Sequence, residues 1–190
     1  MKPLILVRHS LPEVMSNFPA REWPLSVTGT ARARSLAERL KTYHPEFIVS
    51  SVETKATQTA EIIAASLGQP LQIVEGLHEH DRRDEPFLSP QVFEAKVREF
   101  FEQPQVLVFG NESADQAYRR LQSAIYSVLA AQEENTIVVV THGTVLSLFV
   151  SRLTGIHAFS LWKELGLPAY IAVDVPSKSL IAKENIPEES

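Results

Sequence analysis

Two short apolar runs in this chain end in the same way, and they constrain its fold more than any other feature. Leu4–Val7 is continuously apolar and is followed at once by Arg8-His9. Thr136–Thr141 reads Thr-Ile-Val-Val-Val-Thr and is followed by His142-Gly143. Runs of this length without alternation are the pattern of strands buried on both faces. The β-branched residues of the second run suit a strand best. Strands covered on both sides imply helices above and below, the α/β arrangement. In open sheets of that kind, ligands bind beyond the carboxyl ends of the strands, near a switch in strand order. Both histidines fall where such a site belongs, and a helix start after each brings amide N–H groups able to hold an anion. A single histidine at a strand end would be an ordinary core or surface residue. Two at matching ends, one beside an arginine, point to function.

Helical periodicity alternates with the strands. Leu25-Ser26-Val27-Thr28-Gly29 leads into a helix with Ala33, Leu36, Ala37 and Leu40 on one face. Phe47–Ser50 reads as the second strand. The next helix carries Ala56, Thr59, Ala60, Ile63 and Leu67, then stops at Gly68 and Pro70. Leu71–Val74 is a third short strand, and residues 75–90 are polar and loop-like. Ser89-Pro90 opens a helix over about 90–102. Gln105–Phe109 fits either an extended loop or a short strand. Ser113 caps a helix running to about Glu133, and another helix covers about 144–154. Ala169–Val175 and Ser179–Lys183 form two final strands joined at Pro176-Ser177. Residues 10–25, with Pro12, Pro19 and Pro24, form a long loop. No repeat or linker divides the chain, so residues 1–190 are expected to form one domain.

Composition removes several function classes. The chain has 190 residues, a net charge of −5 and no cysteine. Disulfides, thiolate catalysis and cysteine-based zinc sites are therefore excluded. The acidic balance argues against non-specific nucleic-acid binding. The first apolar run is too short for a signal sequence, and no stretch approaches a membrane span. A soluble, cytoplasmic protein is expected.

The motifs, taken in order, resemble the histidine phosphatase superfamily, also called the phosphoglycerate-mutase-like family. They are Leu6-Val7-Arg8-His9; Leu25-Ser26 with Gly29; Ser50-Ser51 followed by Ala56-Thr57-Gln58-Thr59-Ala60; Leu77-His78-Glu79; Gly110-Asn111-Glu112-Ser113; and Val140-Thr141-His142-Gly143. The resemblance runs from about residue 4 to 175. It implies a three-layer α/β/α sandwich with a mostly parallel central sheet, and a metal-independent phosphomonoesterase with no cofactor. Its substrate would be a small phosphorylated molecule or a phosphoprotein. The resemblance implies that His9 is transiently phosphorylated, with Arg8 and His142 around the phosphoryl group and Glu79 as general acid. Lys55, Gly143 and Ser113 would line the substrate site. The chemistry suits such roles, because a neutral imidazole is not repelled by an anionic ester and an arginine fork matches phosphate. The acid must be protonated to serve a leaving alkoxide, so burial or nearby phosphate is expected to raise the Glu79 pKa.

The chain departs from the family pattern at two places. Lys55 stands where an arginine is usual, keeping the charge but losing bidentate geometry. After His9 the chain reads Ser10-Leu11-Pro12-Glu13, and Met15 takes the place of a frequent pocket asparagine, with Glu13 or Asn17 as possible substitutes. His78-Glu79-His80-Asp81 partly resembles the metal-binding His-x-His-x-Asp-His box of the metallo-β-lactamase fold. Its aspartate comes one residue early and Arg82-Arg83 replaces the last histidine, so no metal is expected. Arg82-Arg83 fits either a solvated pair or a contact to a charged substrate group. Arg120 fits a structural salt bridge. Two alternatives to the phosphatase stand beside it: a phosphoglycerate-type mutase, and a phosphate-binding module without turnover. Oligomeric state is left open.

Overall fold

Alternate residues of the first strand face opposite sides of one sheet, and each side has its own core. The computed structural model describes residues 2–85, 88–132 and 135–187. Its elements are β1 (Leu4–Arg8), α1 (Val27–Leu40), β2 (Phe47–Ser50), α2 (Thr54–Leu67), β3 (Leu71–Ile73), α3 (Pro90–Glu102), α4 (Ala114–Ala131), β4 (Ile137–Thr141), α5 (Gly143–Thr154), α6 (Ala158–Glu164), β5 (Ala169–Asp174) and β6 (Ser179–Asn185). Ile5, Val7, Ile48, Val138 and Val140 pack against Leu36, Leu40 and Ile63 of α1 and α2. Leu4, Leu6, Val49, Ile137 and Val139 face the other way, toward Phe100, Leu121, Ile125 and Phe149 of α3, α4 and α5. The result is three layers, α/β/α. Burial on both faces is why these strands read as unbroken apolar runs.

The sheet order is β3-β2-β4-β1-β5-β6. The four strands from β3 to β1 pair in parallel, whereas β5 runs antiparallel to both β1 and β6. Mostly parallel is therefore right. After β1 the chain moves to α1 on one face, and after β4 to α5 on the other. Because β1 and β4 are neighbours, the crevice beyond their carboxyl ends is the switch point of the sheet. The register sets Arg8 opposite Thr141, so His9 and His142 leave the sheet side by side.

The structure resolves one open point and departs from the sequence expectation elsewhere. Gln105–Phe109 takes the loop alternative and forms no strand. The helix α6 has no counterpart in the sequence reading, being only seven residues long, too short for a clear periodic stripe. The helix capped by Ser113 closes at Ala131; Glu133, its expected end, lies outside the described residues, as do Pro86 and Phe87 of the expected 75–90 loop. Among the described residues no helix is long and apolar enough to cross a membrane.

The loop after His9 is tied down by the motif residues. The Ser10 hydroxyl donates to the Gly29 carbonyl (2.6 Å), and its amide donates to Thr59 Oγ1 (3.0 Å). Ser26 caps α1 by accepting from the Gly29 amide (2.9 Å), while its own amide donates to the Leu11 carbonyl (3.0 Å). Gln58 Oε1 accepts from the Leu25 amide (2.7 Å). Gly29 lies so close that a Cβ there would fall 2.0 Å from the Leu11 carbonyl oxygen. Gly29→Ala is expected to destabilise the fold by about 3 kcal/mol, the upper end of ordinary overpacking. Denaturant unfolding of the variant measures this, and a loss below about 0.5 kcal/mol would show that the loop yields freely.

Candidate active site

His9 and His142 meet in the crevice between β1 and β4, with ring centroids 5.1 Å apart. The His9 Nδ1 lies 2.8 Å from the Ser10 carbonyl oxygen. A carbonyl can only accept, so Nδ1 carries the proton and Nε2 keeps its lone pair. Burial, then the nearby His142 and Lys55, hold the His9 pKa well below the usual imidazole value. The free ring is thus neutral with one defined tautomer.

His142 caps α5 and is fully buried. Its Nε2 sits 2.9 Å from Ser51 Oγ. Its Nδ1 is buried with no hydrogen-bond partner among the described residues, and so is Nε of Arg8. Buried nitrogens without partners are uncommon in folded proteins and call for an explanation. The Arg8 Nη1 donates to the Leu165 carbonyl. Gly143 permits this placement, since a Cβ there would come within 2.9 Å of Arg8 Nε. Burial lowers the Arg8 pKa, an effect that Glu79 only partly offsets.

Lys55 lies in the first turn of α2 and is buried. Its Nζ donates to the Ala20 carbonyl (2.7 Å) and to Glu53 Oε2 (2.6 Å). The remodelled loop 10–24 therefore reaches this site through Ala20, part of a short 3-10 turn over Ala20–Glu22. Neither Glu13 nor Asn17 is buried here.

Glu79 sits over the N-terminus of α5. Its carboxylate accepts from the amides of Thr144 (3.1 Å), Val145 (3.2 Å) and His80 (2.9 Å). These are the amides that a free helix start would offer to an anion, so here the first turn of α5 is occupied by an internal carboxylate. The expected rise in the Glu79 pKa is also corrected. Burial does push it upward, but His142, Arg82 and the amide donors outweigh burial, and the group is held below its usual value. The loop carrying Glu79 is clamped from behind. Arg120 donates to the carbonyls of Gly76 (2.7 Å), His78 (2.9 Å) and Glu79 (3.3 Å) and pairs with Glu112, which also accepts from the Asp81 amide (3.0 Å). Thr141 Oγ1 fixes the start of the same loop through the Leu77 carbonyl (2.7 Å).

The crevice thus gathers Arg8, His9, Lys55, Glu79, His142 and Gly143. Ser113 stands elsewhere: its hydroxyl accepts from the Gln116 amide in a capping box. It lines a separate cleft of about 560 Å³ that none of the six residues borders. The consecutive His78-Glu79-His80-Asp81 residues diverge. His80 turns into the core against Phe100 and Phe109, and Asp81 pairs with Arg83. No group of three or more metal-ligating side chains is assembled among the described residues. The two arginines of Arg82-Arg83 also part. Arg83 is exposed, whereas Arg82 lies over the Phe93 ring, 4.4 Å from its centroid. Phe93, with Arg8, Trp162 and Leu165, lines a cleft of about 300 Å³ that opens beside the crevice. Two participants went unnoticed in the sequence: the Ser51 hydroxyl and Glu53. The only trace of the latter is an acidic residue two places before Lys55.

A histidine pair thus stands at two strand ends over an α/β switch point, with the His9 imidazole held as its Nδ1–H tautomer. The chain belongs to the histidine phosphatase superfamily, whose branch 1 family model matches residues 4–173. It is 29% identical over 170 residues to the probable phosphoglycerate mutase GpmB of Proteus mirabilis (strain HI4320), covering 84% of this chain and 78% of that protein. Its fold is similar to phosphoserine phosphatase of Entamoeba histolytica, solved with 3-phosphoglyceric acid (TM-score 0.78, 19% identity, 97% of this chain and 98% of that one). It is also similar to a mycobacterial glucosyl-3-phosphoglycerate phosphatase solved with VO3 (TM-score 0.75, 19% identity, 92% and 91%).

The buried histidines make stability pH-dependent. Burial outweighs the carboxylates Glu53 and Glu79 and brings His142 down to about 4, against about 6.5 when unfolded. Between those values the unfolded chain binds a proton that the folded one refuses, so stability falls as pH drops from about 6.5 to about 4. His142→Gln should flatten that fall by up to about 3 kcal/mol. Denaturant melts across this window test it; an unchanged slope would mean that His142 titrates normally.

Proposed function

We propose that the protein is a phosphomonoesterase that works through a phosphohistidine at His9. The observation that carries this reading is the His9 tautomer. Its Nδ1–H is fixed on the Ser10 carbonyl (2.8 Å), its ring lies 5.1 Å from that of His142 between centroids, and His142 Nδ1 and Arg8 Nε are buried with no hydrogen-bond partner among the described residues. Nε2 attacks phosphorus, a P–N bond forms and the ester P–O bond breaks. Arg8, His142 and the remaining N–H of Lys55 take up charge on the phosphoryl oxygens, where fixed donors contribute most in a water-poor site. Glu79 is ionised in the free protein. The arriving phosphate raises its pKa, it gains a proton, and it delivers that proton to the leaving oxygen. Its carboxylate then takes a proton from water as that water attacks phosphorus and releases His9. The sum is ester plus water giving alcohol plus inorganic phosphate. The leaving group faces the cleft of Arg8, Phe93, Trp162 and Leu165. Small phosphorylated molecules fit a cleft of this size; a phosphoprotein would have to present its phosphorylated side chain in an extended segment.

Hydrolysis of an aryl phosphate should persist in EDTA and be inhibited by vanadate. His9→Ala should abolish it, and His142→Ala should lower kcat by about 10²- to 10³-fold, as for loss of one fixed donor to a transition-state oxyanion. Wild-type turnover in His9→Ala would overturn the mechanism. Binding of phosphate by a wild-type protein that yields no phosphohistidine on acid-free quenching would favour a non-catalytic module.

Glu79→Gln separates the proton role from the phosphoryl role. Aryl phosphates leave without a proton, so their loss should be small. Alkyl phosphates need one, and should lose about 10²- to 10⁴-fold. Equal losses on both would remove Glu79 from proton transfer. A mutase reading is favoured by one observation, the mutase name of the Proteus mirabilis relative. Transfer of labelled phosphate between the hydroxyls of glycerate, faster than release to water, would establish it.

A further inference from the structure

Glu53 is the group of the crevice for which the phosphatase reading has no use. It occupies the N-cap position of α2, yet its side chain makes no capping bond to its own helix. Instead it turns inward and is only 11% exposed. Oε2 accepts from Lys55 Nζ at 2.6 Å, Oε1 accepts from the Glu79 amide at 2.9 Å, and Oε1 lies 3.6 Å from His142 Nε2. Burial pushes its pKa upward, but His142 where it is protonated, and the Lys55 ammonium and Glu79 amide bonded to the carboxylate throughout, outweigh burial and keep it ionised. A negative charge therefore stands within contact of two groups meant to hold a phosphoryl dianion.

The arrangement has a simple electrostatic consequence. Arg8 and Lys55 are balanced by Glu53 and Glu79, so the empty crevice carries little net charge. That removes the cost of burying unpaired cations. It also means that an arriving dianion must share Lys55. An ammonium has three donors; two are used by Ala20 and Glu53, and one is left. We propose that Glu53 is the internal counter-ion of the phosphoryl site, setting how tightly the site holds phosphate by competing with it for Lys55. This rests on the phosphatase reading. Its benefit falls on the last step of turnover, because a crevice of unopposed cations would retain inorganic phosphate.

The test is inorganic phosphate affinity by calorimetry, with vanadate inhibition as a second measure, on wild type, Glu53→Gln, Lys55→Met and the double variant. Removing one buried like charge a few ångströms away should tighten phosphate binding by roughly tenfold or more in Glu53→Gln. Lys55→Met should weaken it by at least a similar factor, because Glu53 is then unopposed. The double variant should recover most of that loss. A purely structural Glu53 predicts the reverse: weaker binding in Glu53→Gln and no recovery in the double variant. Either result overturns the proposal. If Glu53→Gln alone fails to fold, the double variant, in which the pair becomes neutral, is compared with Lys55→Met and decides by the same criterion. Wild-type protein that binds neither phosphate nor vanadate overturns the phosphatase reading and this proposal with it. Phosphate binding in wild type without tightening in Glu53→Gln overturns this proposal alone.

Discussion

The parallel pairing of β1 with β4 is the constraint on which everything else depends. Its register sets Arg8 against Thr141, and the next residue on each strand is a histidine. The chain then departs to opposite faces of the sheet, opening the crevice into which both rings project. A slip of one residue would turn every side chain to the other face. It would send His9 and His142 into separate layers and put Leu4 and Leu6 where Ile5 and Val7 belong. Two apolar cores, one per face, oppose that slip. The geometry of the histidine pair is thus held by hydrophobic burial throughout the domain.

Strand-level features were legible in the sequence because burial on both faces leaves unbroken apolar runs. Phe47–Ser50 and the helix over 90–102 match the structure to the residue. The gathering of Arg8, His9, Lys55, Glu79 and His142 was legible through motif order. What stayed hidden depends on contacts between distant segments. Nothing local in His78-Glu79-His80-Asp81 says that His80 will enter an aromatic core while Glu79 lands on the start of α5. The downward shift at Glu79 could not be read either. Burial alone would raise it, and His142, Arg82 and the amides of His80 and Thr144, all from outside the local motif or unreadable in it, reverse the sign. The Ser113 cap was legible, but its motif position did not reveal that it borders a cleft separate from the histidine pair.

The crevice is crowded with its own charges. Two of its buried ions are matched by opposite charge or fixed dipoles, as burial requires. Glu79 uses the amides of one helix start, and Lys55 uses Glu53 and a loop carbonyl. Arg120, behind the crevice, binds the carbonyls of Gly76, His78 and Glu79 and the Glu112 carboxylate. Arg8, His9 and His142 thus sit at strand ends, Lys55 at a helix start and Glu79 on a loop, which hydrogen bonds from Arg120 and Thr141 clamp behind the crevice.

The reversed direction of β5 has one further effect. Its first residue, Ala169, lies opposite Arg8, so the segment leading into β5 arrives at the reactive end of the sheet. A parallel strand would have delivered that segment to the far end. From there, Leu165 and Leu167 present their carbonyls to Arg8 and Arg32. The sheet consequently draws the two sides of its crevice from independent stretches of chain. The histidine pair comes from the ends of β1 and β4, while the opposing side is built by the connection from α6. If the proposed phosphatase reading holds, substitutions there would change which alcohol the pocket admits while leaving the histidine pair undisturbed.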